Sequence, residues 1–544
     1  MAEFSKLQIR AKVLSVISEI KTSEVYNVDL LNKVTSELEQ IDDRSAIFDI
    51  FIKEFIKMEE KEYSFCALLL KNLVPADYIE KKTMEILQSS AYSDDTKYKF
   101  VQLLRIVGNK NVYEVIPQYF ENPEELMDKE TQNLLQKAIY NPESMLDFLD
   151  FIYSVKNSDR ELLLSSLGAD YSGDELANII YPILYSDFDD ELKLKIIEIL
   201  SDTKSSLAIA PLNYIIEVSE NDKLLNSAKT ALKKLKLAGA SKEKEYAYFK
   251  EIIKNSSPYK FYTTIPDGAG NQAILSTRKN NDGSFIFIAV VINDTTGVID
   301  CFGFYSITEN ETNKIIEKFY NTEGKYEISS NYARTKIEEA VNTTIKNKRS
   351  FPYEFTCWNV FFKDIKPLDE SILSYIKNIE KKDISNNEIF EILTKDYTFR
   401  WYISIADYPK LKDLISSIYK LKTDDIQVFN KTIKDFMPEY WDIENVNLWK
   451  SRIENLIYIL YKNNKIIEAT TFLPLIYDEN TFKIFEQIIM QRSIFNNIAA
   501  IKENIKNKGL MTNIFSKKAK SENEFNTKEL EKILMFLQRG WFNG

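Results

Sequence analysis

The chain contains no histidine. That absence rules out a Ser–His–Asp or Cys–His nucleophile pair within it, imidazole metal ligands and histidine proton shuttles. Carboxylates, lysine, tyrosine and backbone dipoles are what remain for any chemistry. Cysteine is scarce: Cys66, Cys301 and Cys357 make an odd number with no CxxC spacing, which argues against a disulfide framework and a structural zinc site. Cys66 lies in the apolar run SFCALLL and reads as a small buried hydrophobe. Long apolar runs are missing too. The longest, near Phe65–Leu70 and Phe285–Ile292, are too short to span a bilayer, and MAEFSKLQIRAK lacks an apolar signal core. The expectation is a cytoplasmic protein that does not enter a membrane.

Charge is present but unevenly spread. The net charge is −11; residues 1–240 carry −13, 241–370 carry −1 and 371–544 carry +3, with −12 concentrated in 121–190. Such a field repels nucleic-acid phosphates and anionic headgroups. It reads either as a solvated face or as a docking surface for a basic protein partner. Arginine is sparse and is not interleaved with aromatics as in single-strand binders.

The 44% apolar and 28% charged composition of the 544 residues is that of an ordinary globular protein, with length for three or four domains. Residues 1–240 read as helical hairpins. In Asp189–Leu237, ELKLKIIEIL places Leu194, Ile197 and Leu200 on one face, and LAIAPLNYIIEV follows with Pro211 early in the helix. A third helix then has Asp222 as its expected N-cap and a stripe of Leu224, Leu225, Ala228, Ala231, Leu232 and Leu235. LLRIVGNKNVYEVIP (103–117) echoes IEILSDTKSSLAIAP (197–211) at an offset of 94 residues, and ELANIIYPIL around Pro182 is a looser echo. The pattern resembles HEAT-type α-solenoids, over roughly residues 90–240. The resemblance implies stacked hairpins with an extended surface, and protein–protein scaffolding rather than catalysis.

After the small, polar LAGASKEKE (237–245), the hydrophobic period changes from about 3.6 to about 2 over 261–307. This stretch holds five of the thirteen glycines: Gly268, Gly270, Gly283, Gly297 and Gly303. Gln272–Arg278, Ser284–Asn293 and Gly297–Ile307 read as meandering strands joined by KNNDG and NDTTG turns. SFIFIAVVIN, apolar on both alternating faces, reads as the central strand. Helices are expected at Glu311–Tyr320 and Tyr332–Lys346, and a last strand at YEFTCWNVFF (353–362), which would put Cys301 and Cys357 on strands. The fold class is therefore mainly α with an embedded α+β module: a HEAT-like array over 1–240, the module over 255–367, and a helical domain over 368–544 with a linker near 502–524. Helices are expected there at Ser371–Lys381, Lys410–Lys420, Val428–Phe436, Leu448–Tyr461, Asn480–Arg492 and Thr527–Gln538. All five tryptophans follow residue 357.

The most distinctive local phrase is PDGAGNQ (266–272). Its glycines can turn N–H groups inward to form an anion nest, making Asp267, Gly268, Gly270 and Asn271 a candidate ligand loop. It lacks a P-loop's GK[ST] tail and opens a strand rather than a helix, and a structural turn explains the same residues. Convergence of Asp267, Asp294 and Asp300 would hold Mg²⁺ or Mn²⁺ for phosphoester hydrolysis. The order of three strands and a helix is similar to ribonuclease-H-like folds, but the acid those carry in the first strand is absent from Gln272–Arg278. The balance favours a non-enzymatic interaction or scaffold protein with a basic protein partner, no cofactor, no bound metal and no nucleic acid. The alternative is a metal-dependent hydrolase or a small-ligand site in the central module.

Overall fold

The computed structural model describes residues 4–515, apart from 24–27, 108–117, 124–134, 241–252, 321–324, 380–384, 394–397, 422–425 and a few single positions. The chain is mainly α-helical with a five-stranded antiparallel sheet in its middle. It forms two compact units, Met1–Lys137 and Ala138–Gly544.

In the first unit, α1 (Lys6–Thr22), α2 (Val28–Leu38), α3 (Arg44–Phe55), α4 (Glu60–Leu73), α5 (Ala76–Leu87) and α6 (Asp94–Val107) follow one another with short connections. Ser5 caps α1 in a reciprocal capping box with Gln8, and Asp43 caps α3. Phe48, Phe51, Phe55 and Phe100 are fully buried at the centre of this core. Lys99 closes the C-terminal end of α3, donating from Nζ to the carbonyls of Ile56 (2.8 Å) and Met58 (2.6 Å). Cys66 is buried, and burial pushes its thiol up to about 12, so it sits here as a hydrophobe.

The second unit begins with α7 (Pro142–Ser154), α8 (Asn157–Asp170), α9 (Gly173–Ile180) and α10 (Pro182–Tyr185). Three helices follow: α11 (Asp190–Asp202), α12 (Ile209–Val218) and α13 (Asp222–Leu237). Asp189 caps α11, and its buried residues are Leu192, Lys193, Ile196, Ile197 and Leu200. Asn221, not Asp222, caps α13, donating its place to Asp222 in the first turn where a carboxylate suits the helix dipole. The expected stripe on α13 is buried except at Leu225, which is half-buried. The remainder of the earlier echo, beyond Val107, lies outside the described residues.

The sheet order is β4-β3-β2-β1-β5. Strands β2 (Asn271–Asn280), β3 (Phe285–Asn293) and β4 (Gly297–Ile307) are where the period-2 pattern places them. Two more were not read from the sequence: β1 (Ser256–Thr263), which crosses the expected helix-to-strand boundary, and the three-residue β5 (Tyr326–Ile328) after α14 (Glu309–Tyr320). Strand β3 lies inside the sheet between β4 and β2, as its two apolar faces require, but the middle strand is β2. The segment YEFTCWNVFF is not a strand. It forms α16 (Tyr353–Trp358) and a 3₁₀ turn (Asn359–Phe362) after α15 (Ser330–Lys346). Its aromatics follow a helical spacing, with Phe355, Trp358 and Phe362 buried, and a Cβ at Gly303 of β4 would come within 2.6 Å of the Trp358 ring, so there is no room for one. Cys357 is therefore on a helix. Cys301 is on β4, and both thiols are buried, which raises both.

The C-terminal helices are α17 (Ile372–Ile376), α18 (Asn386–Leu393), α19 (Leu411–Leu421), α20 (Ile426–Tyr440), α21 (Ile443–Lys462), α22 (Ile466–Phe472), α23 (Pro474–Tyr477) and α24 (Glu479–Phe515). The expected linker near 502–524 is helical as far as Phe515, because α24 continues 23 residues past the expected end at Arg492; the rest of it, and the helix expected at Thr527–Gln538, lie outside the described residues. Trp401, Trp449, Trp441, Phe482 and Phe485 pack mostly edge to face, the favoured geometry for ring quadrupoles.

One buried charge ties the sheet to its cover. Arg278 of β2 is 1% exposed. It donates to both oxygens of Asp364 (2.9 and 2.8 Å), to the Phe361 carbonyl (2.8 Å) and to Ser256 Oγ (3.0 Å). Replacing Asp364 with asparagine leaves this guanidinium buried without a counter-charge, and we expect it to cost about 3 kcal/mol in denaturant unfolding. A loss below about 1 kcal/mol would mean that the carbonyls alone satisfy Arg278.

Candidate functional site

The loop between β1 and β2 holds its glycines for a packing reason. Gly268 donates its N–H to the Arg400 carbonyl (3.1 Å), and a Cβ at 268 would come within 2.7 Å of that same oxygen and 2.5 Å of the Tyr402 backbone nitrogen. Gly270 has φ +88, a left-handed conformation that disfavours side chains, and a Cβ there would strike the Asp294 carboxylate. The remaining N–H groups turn inward, as a nest requires, but the chain itself supplies the anion. Asp267 Oδ1 accepts from Ala269 N (2.9 Å) and Asn271 N (2.8 Å), while Gly270 N donates to the Asp267 carbonyl (3.0 Å). The candidate ligand loop of Asp267, Gly268, Gly270 and Asn271 is thus closed around its own carboxylate and joined to the C-terminal helices.

The three aspartates of the hydrolase reading have separate tasks. Asp267 organises the loop. Asp294 receives both ends of the Arg452 guanidinium (Nε 2.6 Å, Nη2 2.9 Å). Asp300 accepts from the Cys301 N–H (2.8 Å) on β4. Among the described residues no group of three or more acidic or thiol side chains is placed to hold a metal ion. Arg452, 4% exposed, also donates to the Gly268 carbonyl (2.7 Å) and lies over Trp449. Trp401 donates to the Pro266 carbonyl (2.8 Å). A cleft of about 190 Å³ opens beside these groups. Its charges are matched within the protein, Arg452 with Asp294 and Lys336 with Glu339 (2.6 Å).

A second group of carboxylates lies where α7 and α16 meet the free edge of the sheet. Glu143, in the first turn of α7, accepts the Tyr305 N–H of β4 at 2.6 Å. Burial raises its pKa, and Asp147 adds to the rise. Glu354, in the first turn of α16, is likewise raised by burial first and then by Asp300 and Asp150. Tyr353 donates to Asp150.

The acidity of 121–190 is partly described. At the entrance to α11, Asp187, Asp189 and Asp190 of this stretch and Glu191 just beyond it are all exposed, while Phe188 between them is buried and anchors the turn. Arg160 meets Asp189 at 3.0 Å. No family model, no curated protein and no solved structure matches this chain. Among the described residues no helix is long and apolar enough to cross a membrane.

Two measurements test this account. Gly268→Ala forces a Cβ into backbone atoms and should cost about 3 kcal/mol, whereas Gly283→Ala, with φ +88 but open space around it, should cost about 1 kcal/mol; equal losses in denaturant titrations would refute the close approach at Gly268. For Glu143 and Glu354, whose folded pKa is raised, the folded state binds protons more readily than the unfolded one. Their contribution to stability therefore grows as the pH falls from neutral through the raised value toward the ordinary carboxyl value. Glu354→Gln should raise the melting temperature at pH 7 and flatten its pH dependence in that window. A variant with wild-type pH dependence would show that Glu354 ionises as freely as a solvated acid.

Proposed function

We propose that this protein is a non-enzymatic interaction or scaffold protein, whose helical hairpins present an acidic surface to a basic protein partner. The observation that carries the reading is the cluster Asp187, Asp189, Asp190 and Glu191, four exposed carboxylates around one buried phenylalanine, with Arg160 paired to Asp189. The hairpins of α11, α12 and α13 hold this turn rigidly, as a solenoid of the HEAT kind would. The distribution of charge supports it further. The ion pairs Arg278–Asp364 and Arg452–Asp294 each contain a buried arginine held inside the unit, so the chemistry-bearing groups of the central module serve its architecture. A cytoplasmic setting fits the three buried, unpaired cysteines.

The test is capture of partners by the tagged full-length chain from its native cytosol, compared with the double variant Asp187→Asn, Glu191→Gln. Asp189 is kept because it caps α11 and pairs with Arg160. A stoichiometric partner that is bound about tenfold more weakly by the variant, with a flatter dependence on salt, is the expected result. A partner retained equally by the variant, or no stoichiometric partner at all, overturns the acidic docking surface.

A further inference from the structure

A cavity of about 450 Å³ lies between α11, the C-terminal end of α12, the start of α13 and the turn that follows α15. Lys193 lines it from the first turn of α11 and is 8% exposed. Its ammonium makes no hydrogen bond or ion pair with any described residue. The neighbouring polar groups are already engaged. Asp190 accepts from Asn221 Nδ2 (2.7 Å), Glu220 pairs with Lys348 (2.9 Å), and Tyr214 donates to the Arg349 carbonyl (2.8 Å). Asp190, Asp187 and Asp189 are close enough to favour the charged lysine, yet burial outweighs them and its pKa lies below that of an ordinary lysine. A buried ammonium with free donors is costly unless an acceptor meets it.

The rest of the lining holds two carboxylates, Asp190 and Glu220, and one further cation, Lys348, which is paired with Glu220. Asp190 and Glu220 are both exposed, and Asp190 makes no ion pair with a described residue, accepting only from the neutral Asn221 amide. Leu184, Ile215, Val218 and Leu224 add apolar wall. A cation at depth and negative charge around it complement a molecule that carries both signs. A phosphate dianion offers nothing for Asp190 to hold, whereas a monocarboxylate bearing an ammonium does. We propose that this cavity binds a small zwitterion of the free amino-acid class, its carboxylate on Lys193, its ammonium toward Asp190 and Glu220, and its side chain against the apolar wall. The site shares Asp190 with the acidic cluster of the proposed docking surface but requires no protein partner there.

The experiment is a thermal-shift screen of the full-length protein against the common amino acids. Calorimetric titration then follows with the best of them, its deaminated carboxylate, its decarboxylated amine and inorganic phosphate. One or more amino acids should raise the melting temperature through linkage, and each half-molecule should bind at least about tenfold more weakly. Lys193→Met should lose binding by about tenfold or more while melting higher than wild type without ligand, because the desolvated charge is gone. That rise separates lost binding from lost folding. The proposal is overturned if no amino acid shifts the melting temperature, if Lys193→Met binds as well as wild type, or if the bare carboxylate or phosphate binds as tightly as the amino acid.

Discussion

The Arg452 guanidinium holds the loop end of the sheet against the C-terminal helices. It reaches from the middle of α21 to Asp294 and to the Gly268 carbonyl, with Trp449 beneath it. A buried arginine with planar, two-point geometry allows little freedom in what surrounds it. The loop must approach closely enough to present a carbonyl, so 268 must lack a side chain, and 270 must both turn left-handed and clear the carboxylate of 294. The nearby Trp401 N–H on the Pro266 carbonyl fixes the same loop from a second direction. The glycines, the aspartate and the late tryptophans of this chain are thus parts of a single joint.

Much of the architecture was legible because it rests on periodicity. The alternation in Gly297–Ile307 and the two apolar faces of Phe285–Asn293 placed three strands nearly to the residue and showed β3 to be an interior strand. Where the reading failed, two periods fitted the same letters. YEFTCWNVFF has the aromatic and β-branched content of a strand, but Phe355, Trp358 and Phe362 are also spaced for one helical face, and the sheet had more need of a cover than of a sixth strand. Strand β1 was overlooked because Ser256, Ser257 and Pro258 look like a stop, although Pro258 sits beside a register shift where the ladder is already interrupted. β5 has only three residues, too few to show any period.

The site was less legible, for a different reason. PDGAGNQ announces a tight turn with inward N–H groups, and this is what forms. Sequence spacing cannot show that Asp267 fills the turn or that Arg400 and Tyr402, more than 130 residues away, press on it. Lys193 was missed although a signal existed. It stands four residues before Ile197 and seven before Leu200, on the stripe of α11 that is otherwise apolar. A lysine at a stripe position marks either a snorkelling side chain or a buried charge, and only the surrounding helices decide which.

The free edge of the sheet, described above through its hydrogen bonds, also bears on how this molecule behaves in a crowd. Among the described residues, strand β4 has no neighbour strand on its outer side, and Phe302 and Phe304 stand more than a third exposed on it, the features that let one sheet recruit another. Two of the edge N–H groups that such recruitment needs are occupied by carboxylates, Cys301 by Asp300 and Tyr305 by Glu143. A foreign strand would have to displace both acids while bringing its own backbone carbonyls toward their negative charge. These two side chains therefore oppose edge-to-edge pairing between copies, a role that the fold of one copy does not reveal.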